Sequence, residues 1–458
     1  MRDKKITVAA SILLVAINVG LFLFVWRLYY NAYAFRAHRA EGLIGATVVY
    51  YALYRWLSRL YRGYAFASTS IGDTVLSQFI SFGLADLLMY AACCLLRRQY
   101  VNILPGTVIV AWQLAGSTLV IWLAKKLLYR FIQPAQTLLI YGGAENPARA
   151  KRFIGRIRSR YGHLFFFPTV VHEARTEDVL CAIGRAEAVM CMNVSLEKRA
   201  LYENACMSTG RTFYYVPEFV DIVSRGSAVK HFLDTPLMRY EPVPAQGNGL
   251  VKRAIDIAFS LVCLIAFSPF MLLTALCVKL EDGGPVFYRQ ERLTQNGRSF
   301  RIIKFRSMTQ DAEADGIHPA TRADARVTRV GRIIRRIRLD ETPQLFNVLR
   351  GDMSIVGPRP ERVEHYEIYE RELPEFRYRL RVRAGLTGYA QVYGKYNTAP
   401  EDKLLLDLLY IEEQSLLLDF KLVLLTLKTL FQPERSEGFS AVASARMSEG
   451  AKPKEDAR

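Results

Sequence analysis

The 458-residue sequence has few of the residues that build metal centres or disulfide frameworks. Its seven cysteines form no CxxC pair, and its six histidines form no HxxxH pair. This argues against zinc sites and structural disulfides and indicates a reducing compartment. Acidic residues are also scarce, because 61 Lys and Arg stand against 43 Asp and Glu, for a net charge of +18. Such a basic chain favours an anionic partner: phospholipid, nucleic acid or a phosphorylated substrate.

The apolar residues are gathered in long runs. About half of the chain is hydrophobic and 23% is charged, which argues against a disordered protein. Ile6 to Trp26 has no charge, Thr74 to Leu96 carries only Asp86, and Val101 to Ala124 again has none. Each of these runs is long enough to cross a bilayer as a helix.

A shorter run and the loop charges complete this N-terminal module. Gly42 to Tyr54 has only 13 residues, and taken alone it fits a buried helix of a soluble protein. Extended through Leu60, with Arg55 reaching the interface, it predicts a further span. Nine loop Lys and Arg fall on one side and five on the other, which orients the N-terminus inside. Residues 1–130 are therefore predicted to form a four-helix transmembrane module, with the rest of the chain in the cytoplasm.

Residues 131–248 predict an α/β domain of Rossmann-like type. The apolar run Gln136 to Tyr141 ends at Gly142-Gly143 and is followed by the helical stretch Pro147 to Arg160. Further apolar runs continue this alternation, which is typical of a parallel sheet. The GxGxxG fingerprint is not met, and Glu145 near the helix start would repel a phosphate. We therefore expect a degenerate nucleotide-binding fold with a regulatory or scaffolding role.

A fifth apolar run, Ile257 to Val278, has basic residues at both ends. Ser268-Pro269 lies at its middle, and proline there removes a helical hydrogen bond and bends the helix. A bent helix can enter the bilayer and return to the same face if its freed backbone groups find partners, and Ser268 can supply one. The alternative is a kinked helix that spans the membrane and places the remaining residues outside the cell.

Basic residues follow this run in two clusters. In FRIIKFRSM (300–308), Lys304 and Arg306 share one face of a predicted strand, which is typical of a solvated surface or of a phosphate-facing strand. RVGRIIRRIR (329–338) predicts an amphipathic helix whose arginine stripe, Arg335 included, faces a membrane surface or an anionic ligand. Nucleic acid is not expected as the partner, because membrane spans lie upstream and no aromatic residues interleave the arginines.

Two carboxylates come directly after the arginine helix. Asp340-Glu341 opens DETPQLFNVLRG, and the simplest explanation is that Asp340 caps a helix that ends at Gly351. A helix N-terminus also attracts phosphate, so the pair can instead supply a nucleophile and a magnesium ligand. The segment GPRPE (357–361) adds Arg359 and Glu361, and its two prolines fix the backbone around the arginine.

Six sequence blocks in this region occur in the order of a known family. They are KRAIDI (252–257), Ser268-Pro269, GGPVFYRQER (283–292), KFRSM (304–308), LDETPQLFNVLRGDMSIVGPRPE (339–361) and RAGLTGYAQVYGK (383–395). Through these blocks the chain resembles the catalytic domain of the bacterial sugar transferases, polyprenyl-phosphate hexose-1-phosphate transferases with one re-entrant membrane helix. Four spans and a degenerate Rossmann-like domain ahead of that core resemble the large-form members, which initiate O-antigen, capsule or exopolysaccharide synthesis.

The resemblance implies roles for the residues found above. The Asp-Glu pair of the family falls on Asp340, the nucleophile toward the sugar-bearing phosphorus of a UDP-hexose, and on Glu341, the ligand of Mg²⁺. The phosphosugar on Asp340 would pass to undecaprenyl phosphate after UMP is released. The substrate-binding residues expected around it are Lys304, Arg306, Arg335, Arg338, Arg359, Glu361 and Arg383.

The sequence thus predicts a bacterial inner-membrane enzyme with its soluble domains in the cytoplasm. Its parts are the membrane module (1–130), the Rossmann-like domain (131–248), an α/β monotopic catalytic domain (249–435) with a re-entrant helix (253–280), and a disordered tail (436–458). Inner-membrane lipid is a further expected partner, and homo-oligomer formation is left open. One alternative is a catalytically inactive, nucleotide-sensing membrane scaffold, against which the intact Asp340-Glu341 pair argues. Another is the multispan class of phosphosugar transferase, which uses more spanning helices than the apolar runs provide.

Overall fold

The computed structural model describes residues 2–31, 39–143, 147–232, 235–240, 249–309, 324–394 and 398–432. Glu145 and the predicted tail at 436–458 lie outside these described residues. The chain divides into two compact units, Met1–Val216 and Pro217–Arg458. Residues 217–240 fall in the second unit, whereas the sequence analysis puts a domain boundary after residue 248.

The first unit begins with long helices. They are α1 (Arg2–Val25), α2 (Arg39–Leu60), α3 (Ile71–Arg97) and α4 (Leu104–Phe131), and α1 continues as a π-helical turn, Trp26–Tyr30. The helix Lys4–Tyr30, α3 and α4 are long and apolar enough to cross a membrane. The predicted second span forms α2, a helix of 22 residues, but α2 is not among the helices that are apolar enough to cross a membrane. These helices fit a membrane protein.

Polar side chains connect the helices at the centre of this bundle. The Asn18 amide of α1 donates to the Tyr54 hydroxyl of α2 at 3.1 Å, and that hydroxyl donates to Gln78 Oε1 of α3 at 2.6 Å. The Gln113 amide of α4 donates to the Tyr50 hydroxyl of α2 at 2.8 Å. All five side chains are fully buried. Because lipid offers no competing hydrogen bonds, such contacts specify how the helices pair.

The α/β domain of the first unit is a four-stranded parallel sheet. Its strands are β1 (Ala135–Tyr141), β2 (Phe165–His172), β3 (Ala188–Met192) and β4 (Thr212–Tyr215), and its helices are α5 (Pro147–Tyr161), α6 (Thr176–Arg185) and α7 (Leu196–Thr209). The prediction of a parallel sheet is confirmed. The strand order β2-β1-β3-β4 is that of flavodoxin-like sheets, whereas dinucleotide-binding sheets have the order 3-2-1-4.

A glutamate occupies the sheet edge at which β1 and β3 end. Glu173 follows β2, and its carboxylate accepts hydrogen bonds from the backbone N–H groups of Gly143 and Ser195, both at 3.0 Å. Burial tends to raise the pKa of Glu173, but these two amides and the Lys198 ammonium outweigh it and lower that pKa. Doubly wound sheets bind ligands at this point, where the strand order reverses. Here the backbone N–H groups of Gly143 and Ser195 donate to the Glu173 carboxylate, and so they are not available to a ligand.

The second unit surrounds one long helix with short strands and helices. Its strands are β5 (Ala228–Phe232), β6 (Thr235–Arg239), β7 (Phe287–Leu293), β8 (Ser299–Phe305), β9 (Met353–Val356) and β10 (Ala384–Thr387). Its helices are α8 (Phe219–Arg225), α9 (Gly249–Asp282), α10 (Arg329–Arg336), α11 (Gln344–Arg350), α12 (Val363–Glu372), α13 (Tyr389–Tyr393), α14 (Pro400–Glu412) and α15 (Leu416–Leu430). Strands β7 and β8 pair antiparallel, and β9 and β10 pair parallel.

Helix α9 is a fourth helix long and apolar enough to cross a membrane, and it continues through Pro269. Proline has no N–H to give to the carbonyl four residues earlier, that of Ile265. The Ser268 hydroxyl donates to this carbonyl instead, at 2.8 Å. The structure therefore contains the hydrogen bond that the sequence analysis expects Ser268 to supply to a freed backbone group.

The start of α9 is bonded to three other elements of the second unit. The Arg253 guanidinium donates to the Val348 carbonyl at the end of α11, where the helix dipole favours a cation. The Asp256 carboxylate accepts from the Ile355 N–H of β9 at 3.1 Å. The Lys252 ammonium forms an ion pair with Asp419 of α15. The KRAIDI block (252–257) thus anchors the start of this long apolar helix to the rest of the second unit.

The far end of α9 is bonded to the same unit. The Glu281 carboxylate accepts from the Arg329 N–H at 2.7 Å, at the start of α10, where the dipole favours an anion. Met271 and Val278 are buried against β8 and α10. The other side of α9 exposes large apolar residues, among them Val262, Ile265, Leu272 and Leu276. Helix α9 therefore lies along the second unit and, within the described residues, exposes apolar side chains on its other side.

Candidate active site

The carboxylate pair lies in a 3₁₀ turn, Leu339–Glu341, between α10 and α11. Arg338, before the turn, has a left-handed backbone with φ of 57°. Helix α11 starts after Pro343 and ends, as predicted, at Gly351. The structural explanation of Asp340 as a helix cap is therefore wrong, because the residue sits ahead of the helix in a separate turn.

Glu341 is surrounded by three cations. Its Oε1 accepts from the Arg359 guanidinium at 2.7 Å and lies 3.5 Å from the Lys304 ammonium nitrogen. Its Oε2 lies 3.8 Å from the Arg338 guanidinium. Burial tends to raise the pKa of this carboxyl, but Arg359, Lys304 and Arg338 outweigh it and hold the pKa of Glu341 well below its usual range. Glu341 is therefore ionised at every physiological pH.

Asp340, the neighbour of Glu341 in the sequence, lacks the ion pairs that Glu341 makes with described residues. Within the part of the chain that the structure describes, no hydrogen bond or ion pair reaches its carboxylate. Burial and the charge of Glu341 raise the pKa of Asp340 to about 6, although Lys304 and Arg335 oppose the rise. The carboxylate is thus ionised at neutral pH with both oxygens unpaired. An unpaired anion beside cations has the properties of a nucleophile toward a phosphate ester.

The loop that carries Arg359 is fixed by close backbone contacts. The Gly385 N–H donates to the Pro358 carbonyl at 2.8 Å. A Cβ atom on Gly385 would lie only 2.1 Å from the Gly357 nitrogen, so no larger residue fits there. The prediction that this segment presents Arg359 from a fixed backbone agrees with these contacts.

A buried ion pair supports the same loop from behind. The Arg379 Nε donates to Asp407 Oδ2 at 2.7 Å, and the two side chains are 4% and 0% exposed. The Arg379 guanidinium also donates to the Arg359 carbonyl at 3.0 Å. Breaking such a pair leaves a charge buried without a partner, which is strongly destabilising. Sequence patterns do not reveal this pair, because 28 residues separate its members and no motif links them.

Glu361 is engaged by cations of the protein itself. Its carboxylate lies 3.4 Å from the Lys403 ammonium nitrogen. Burial tends to raise its pKa, but Lys403, Arg379 and Arg292 outweigh it and lower the pKa of Glu361 to about 2. Burial in turn lowers the pKa of Arg292 to about 10. Glu361 balances this buried positive charge, and direct contact with a substrate stays a prediction.

Arg306 lies apart from the carboxylate pair. The sequence predicts it on the same strand face as Lys304, but β8 ends at Phe305. The Arg306 side chain is buried and pairs with Asp282 at the end of α9. Its observed contact is therefore with the end of α9.

Of the remaining predicted substrate-binding residues, Arg335 lies near the carboxylate pair, whereas Arg383 makes no hydrogen bond or ion pair with it in the described residues. Arg335 lies close enough to Asp340 to lower its pKa. Within the described residues, the Arg383 side chain makes no hydrogen bond or ion pair. The cations that the structure brings to the carboxylate pair are Lys304, Arg335, Arg338 and Arg359.

Asn347 of α11 is a positioning residue that the sequence analysis missed. Its side chain is fully buried, with Oδ1 accepting from the Ile303 N–H at 3.0 Å and Nδ2 donating to the Arg301 carbonyl at 2.9 Å. It bonds to β8 as a neighbouring strand would, and so holds α11 against the strand that carries Lys304. The available signal was an asparagine inside the apolar stretch QLFNVL (344–349).

The carboxylate pair also fits a magnesium ion. Within the described ranges, no group of three His, Cys, Asp or Glu side chains could hold a metal. Mg²⁺ usually takes one or two protein carboxylates and fills its other positions with water and substrate phosphates. Glu341 is ionised, its Oε2 has no hydrogen bond within the described residues, and Asp340 is unpaired. The pair therefore offers oxygen ligands of the kind that Mg²⁺ prefers.

The segment that contains these residues matches known proteins. The family model for "Bacterial sugar transferase" matches residues 247–433. A UDP-glucose:undecaprenyl-phosphate glucose-1-phosphate transferase from Caulobacter vibrioides is 41% identical over 200 residues, which are 43% of this chain and 75% of that protein. The chain belongs to the bacterial sugar transferase family.

Two further relatives show how much of this bacterial sugar transferase is matched. The exopolysaccharide production protein ExoY from Rhizobium meliloti is 39% identical over 195 residues, 39% of this chain and 85% of that protein. A UDP-N-acetylgalactosamine-undecaprenyl-phosphate N-acetylgalactosaminephosphotransferase from Aeromonas hydrophila is 40% identical over 220 residues, 47% of this chain and 52% of that protein. The chain spans about half the length of the Aeromonas relative.

Proposed function

We propose that this protein transfers hexose 1-phosphate from a UDP-hexose to undecaprenyl phosphate, and so initiates O-antigen, capsule or exopolysaccharide synthesis. The observation that carries the proposal is the unpaired, partly buried Asp340 beside the cation-bound Glu341. The names of the Caulobacter and Aeromonas relatives, which pair a UDP-sugar with undecaprenyl phosphate, support the two substrate classes.

In the first step an Asp340 carboxylate oxygen attacks the sugar-bearing phosphorus of the UDP-hexose. A bond forms between that oxygen and the phosphorus, the bond from the phosphorus to the bridging oxygen breaks, and UMP leaves with the electron pair. Within the described residues, no donor forms a hydrogen bond or ion pair with Asp340, so the carboxylate is a better nucleophile than a paired one. Lys304 and Arg335 lie beside it to stabilise the charge on the phosphates.

In the second step a phosphate oxygen of undecaprenyl phosphate attacks the same phosphorus. The bond to Asp340 breaks, the free carboxylate returns, and the hexose leaves on a lipid diphosphate. Mg²⁺, held by Glu341, would neutralise charge on the diphosphate. Both substrates are anionic and use one site in turn, which accounts for the density of cations around a single pair of carboxylates.

We infer that α9 enters the membrane from one face and returns to it. A straight helix of 34 residues is about 51 Å long, so a spanning α9 would carry its ends to opposite sides of the bilayer. The bonds of Arg253 and Glu281 to one folded unit, together with the exposed apolar side, support insertion from a single face. With the N-terminus inside and α1 to α4 all spanning, as the sequence predicts, the proposal puts the carboxylate pair at the cytoplasmic surface of the bacterial inner membrane. There a water-soluble donor and a lipid acceptor can both reach it.

The test uses the full-length protein in lipid nanodiscs that contain undecaprenyl phosphate. We expect UMP release with at least one UDP-hexose, UDP-glucose and UDP-galactose being the first candidates. After rapid quenching, mass spectrometry should find a phosphohexose on the peptide that contains Asp340, and Asp340→Asn should show neither signal. Steady turnover without a modified peptide would contradict the covalent step. No UMP release with any UDP-hexose would instead favour the inactive scaffold, although Glu173 argues against nucleotide sensing by the α/β domain.

A further inference from the structure

The N-terminal bundle contains a cavity that the proposed function does not use. Its volume is about 260 Å³. It is lined by the last turn of α1, the π-helical turn, the middle of α3 and the first turns of α4. Four aromatic residues line it: Phe22, Trp26, Tyr30 and Tyr90. Among the described residues that line it, Asp86 is the one with a charge.

The Asp86 carboxylate is buried at this cavity beside the Tyr50 hydroxyl and the Gln113 amide. Within the described part of the chain, neither of its oxygens meets a donor at good hydrogen-bond geometry, so these two neighbours leave it incompletely paired. Gln113 lies beside Asp86, and its amide nitrogen donates to the Tyr50 hydroxyl. The Gln113 Oε1 is also buried, and no described donor reaches it. Burial of a carboxylate among helices is costly unless a donor or a cation meets it, and such residues usually mark functional sites. A guest that brings hydrogen-bond donors and positive charge would complete the pairing of this carboxylate.

The aromatic residues fit the same kind of guest. Aromatic faces attract ammonium groups, and rings around a carboxylate are a common means of recognising an organic cation. The volume sets the size, since a cavity of about 150 Å³ holds benzene, so 260 Å³ holds about ten non-hydrogen atoms. An alkyl chain from a lipid would fill the space but would leave Asp86 incompletely paired.

We propose that this cavity binds a protonated amine with a small apolar body. The ammonium group pairs with Asp86, and the hydrocarbon packs against Phe22, Trp26 and Tyr90. The site is independent of the transfer reaction, because it lies in the first unit and shares no residue with the carboxylate pair.

The probe for this proposal is 2-phenylethylammonium, titrated by calorimetry into the full-length protein in nanodiscs. We expect saturable binding that Asp86→Asn weakens at least tenfold. The matched control is Asp73→Asn on the same helix, where the carboxylate pairs with Arg160 outside the cavity, and its affinity should equal that of the wild type. The neutral analogue 2-phenylethanol should bind more weakly and should not distinguish Asp86→Asn from the wild type.

A second variant keeps the test decisive if Asp86→Asn fails to fold. Gly83 lines the cavity, and a Cβ atom there meets no atom within 4 Å, so Gly83→Leu should fill the space and abolish binding of the probe. UMP release within twofold of the wild type would show that each variant is folded. The proposal is overturned if the wild type binds no probe, if Asp86→Asn binds the ammonium ion as tightly as the wild type, or if 2-phenylethanol binds equally well.

Discussion

Glu173 in the α/β domain and Asp340 in the second unit are both partly buried carboxylates with different surroundings. Glu173 accepts from two backbone N–H groups, and its pKa is lowered. Asp340 accepts from none of the described residues, and its pKa is raised to about 6. The Glu173 carboxylate has its hydrogen bonds from the backbone and occupies the point of the sheet at which a ligand would bind. The Asp340 carboxylate keeps its lone pairs free.

The comparison separates two uses of the same functional group. A carboxylate with backbone donors stabilises the fold and has little free energy to gain by reacting. A carboxylate that is denied donors beside a fixed negative neighbour is destabilised in the folded state, and bond formation with phosphorus relieves that cost. Glu341 supplies the negative neighbour and is held in place by Arg359.

The largest effect is expected from Asp340→Asn, which removes the nucleophile. Turnover should fall at least about 1,000-fold, because an amide cannot form the ester with phosphorus. UMP release measures the loss, and an unchanged thermal midpoint or a higher one shows that the fold is intact. The control is Glu367→Gln, an exposed residue of α12, which should keep full activity. Turnover of Asp340→Asn within tenfold of the wild type would show that the unpaired carboxylate is not the reacting group.

Glu341→Gln should have the next largest effect, a loss of about 100-fold. The neutral amide no longer holds Arg359 and Lys304 as an anion does, and it is a poor ligand for Mg²⁺. We therefore expect the Mg²⁺ concentration at half-maximal rate to rise as well as the maximal rate to fall. A lower rate with an unchanged Mg²⁺ dependence would contradict the metal role and leave only the electrostatic one.

A smaller effect is expected from pH. Asp340 must be ionised to attack, and its pKa is about 6, so turnover should fall about tenfold for each pH unit below 6 and level off above 7. Glu341 stays ionised through this range, because Arg359, Lys304 and Arg338 hold its pKa far lower. The measurement is the UMP release rate between pH 4.5 and 8, with protein stability followed in parallel. A rate that is flat down to pH 5 would show that Asp340 has the pKa of an ordinary surface aspartate.

The smallest effect on activity is expected from Glu173→Gln. The amide can accept from one of the two backbone N–H groups but faces the other with its own NH₂, so the α/β domain should lose about 1–3 kcal/mol of stability. A lower thermal midpoint with turnover within twofold of the wild type is the expected result. A loss of turnover above tenfold in folded protein would mean that this domain is coupled to the chemistry, and the contrast with Asp340 would fail.

Local patterns predicted the elements of the fold better than their arrangement. Apolar runs and glycine turns predicted the long helices and the first strand, because the apolar pattern that marks a helix or a strand repeats within a few residues. Alternation of strands and helices predicted a parallel sheet, but it did not predict the order β2-β1-β3-β4, which depends on how the helical connections cross.

The candidate site shows the same division. Lys304, Arg359 and the carboxylate pair stand in recognisable blocks, and the structure brings them together. Arg306 was misplaced because strand alternation was extended one residue past the end of β8. The Arg379–Asp407 pair has no local signal, since its energy comes from a contact between distant segments in the interior.

The ion pair between Lys252 and Asp419 has a consequence for biosynthesis. The two residues are 167 positions apart, so at ribosomal speeds Lys252 is made roughly 10–30 s before its partner. Helix α9 is therefore complete before α15 has been made. In the growing chain, the bonds of Arg253 to α11 and of Asp256 to β9 can form first, and the ion pair that ties α15 to the start of α9 can form only after both.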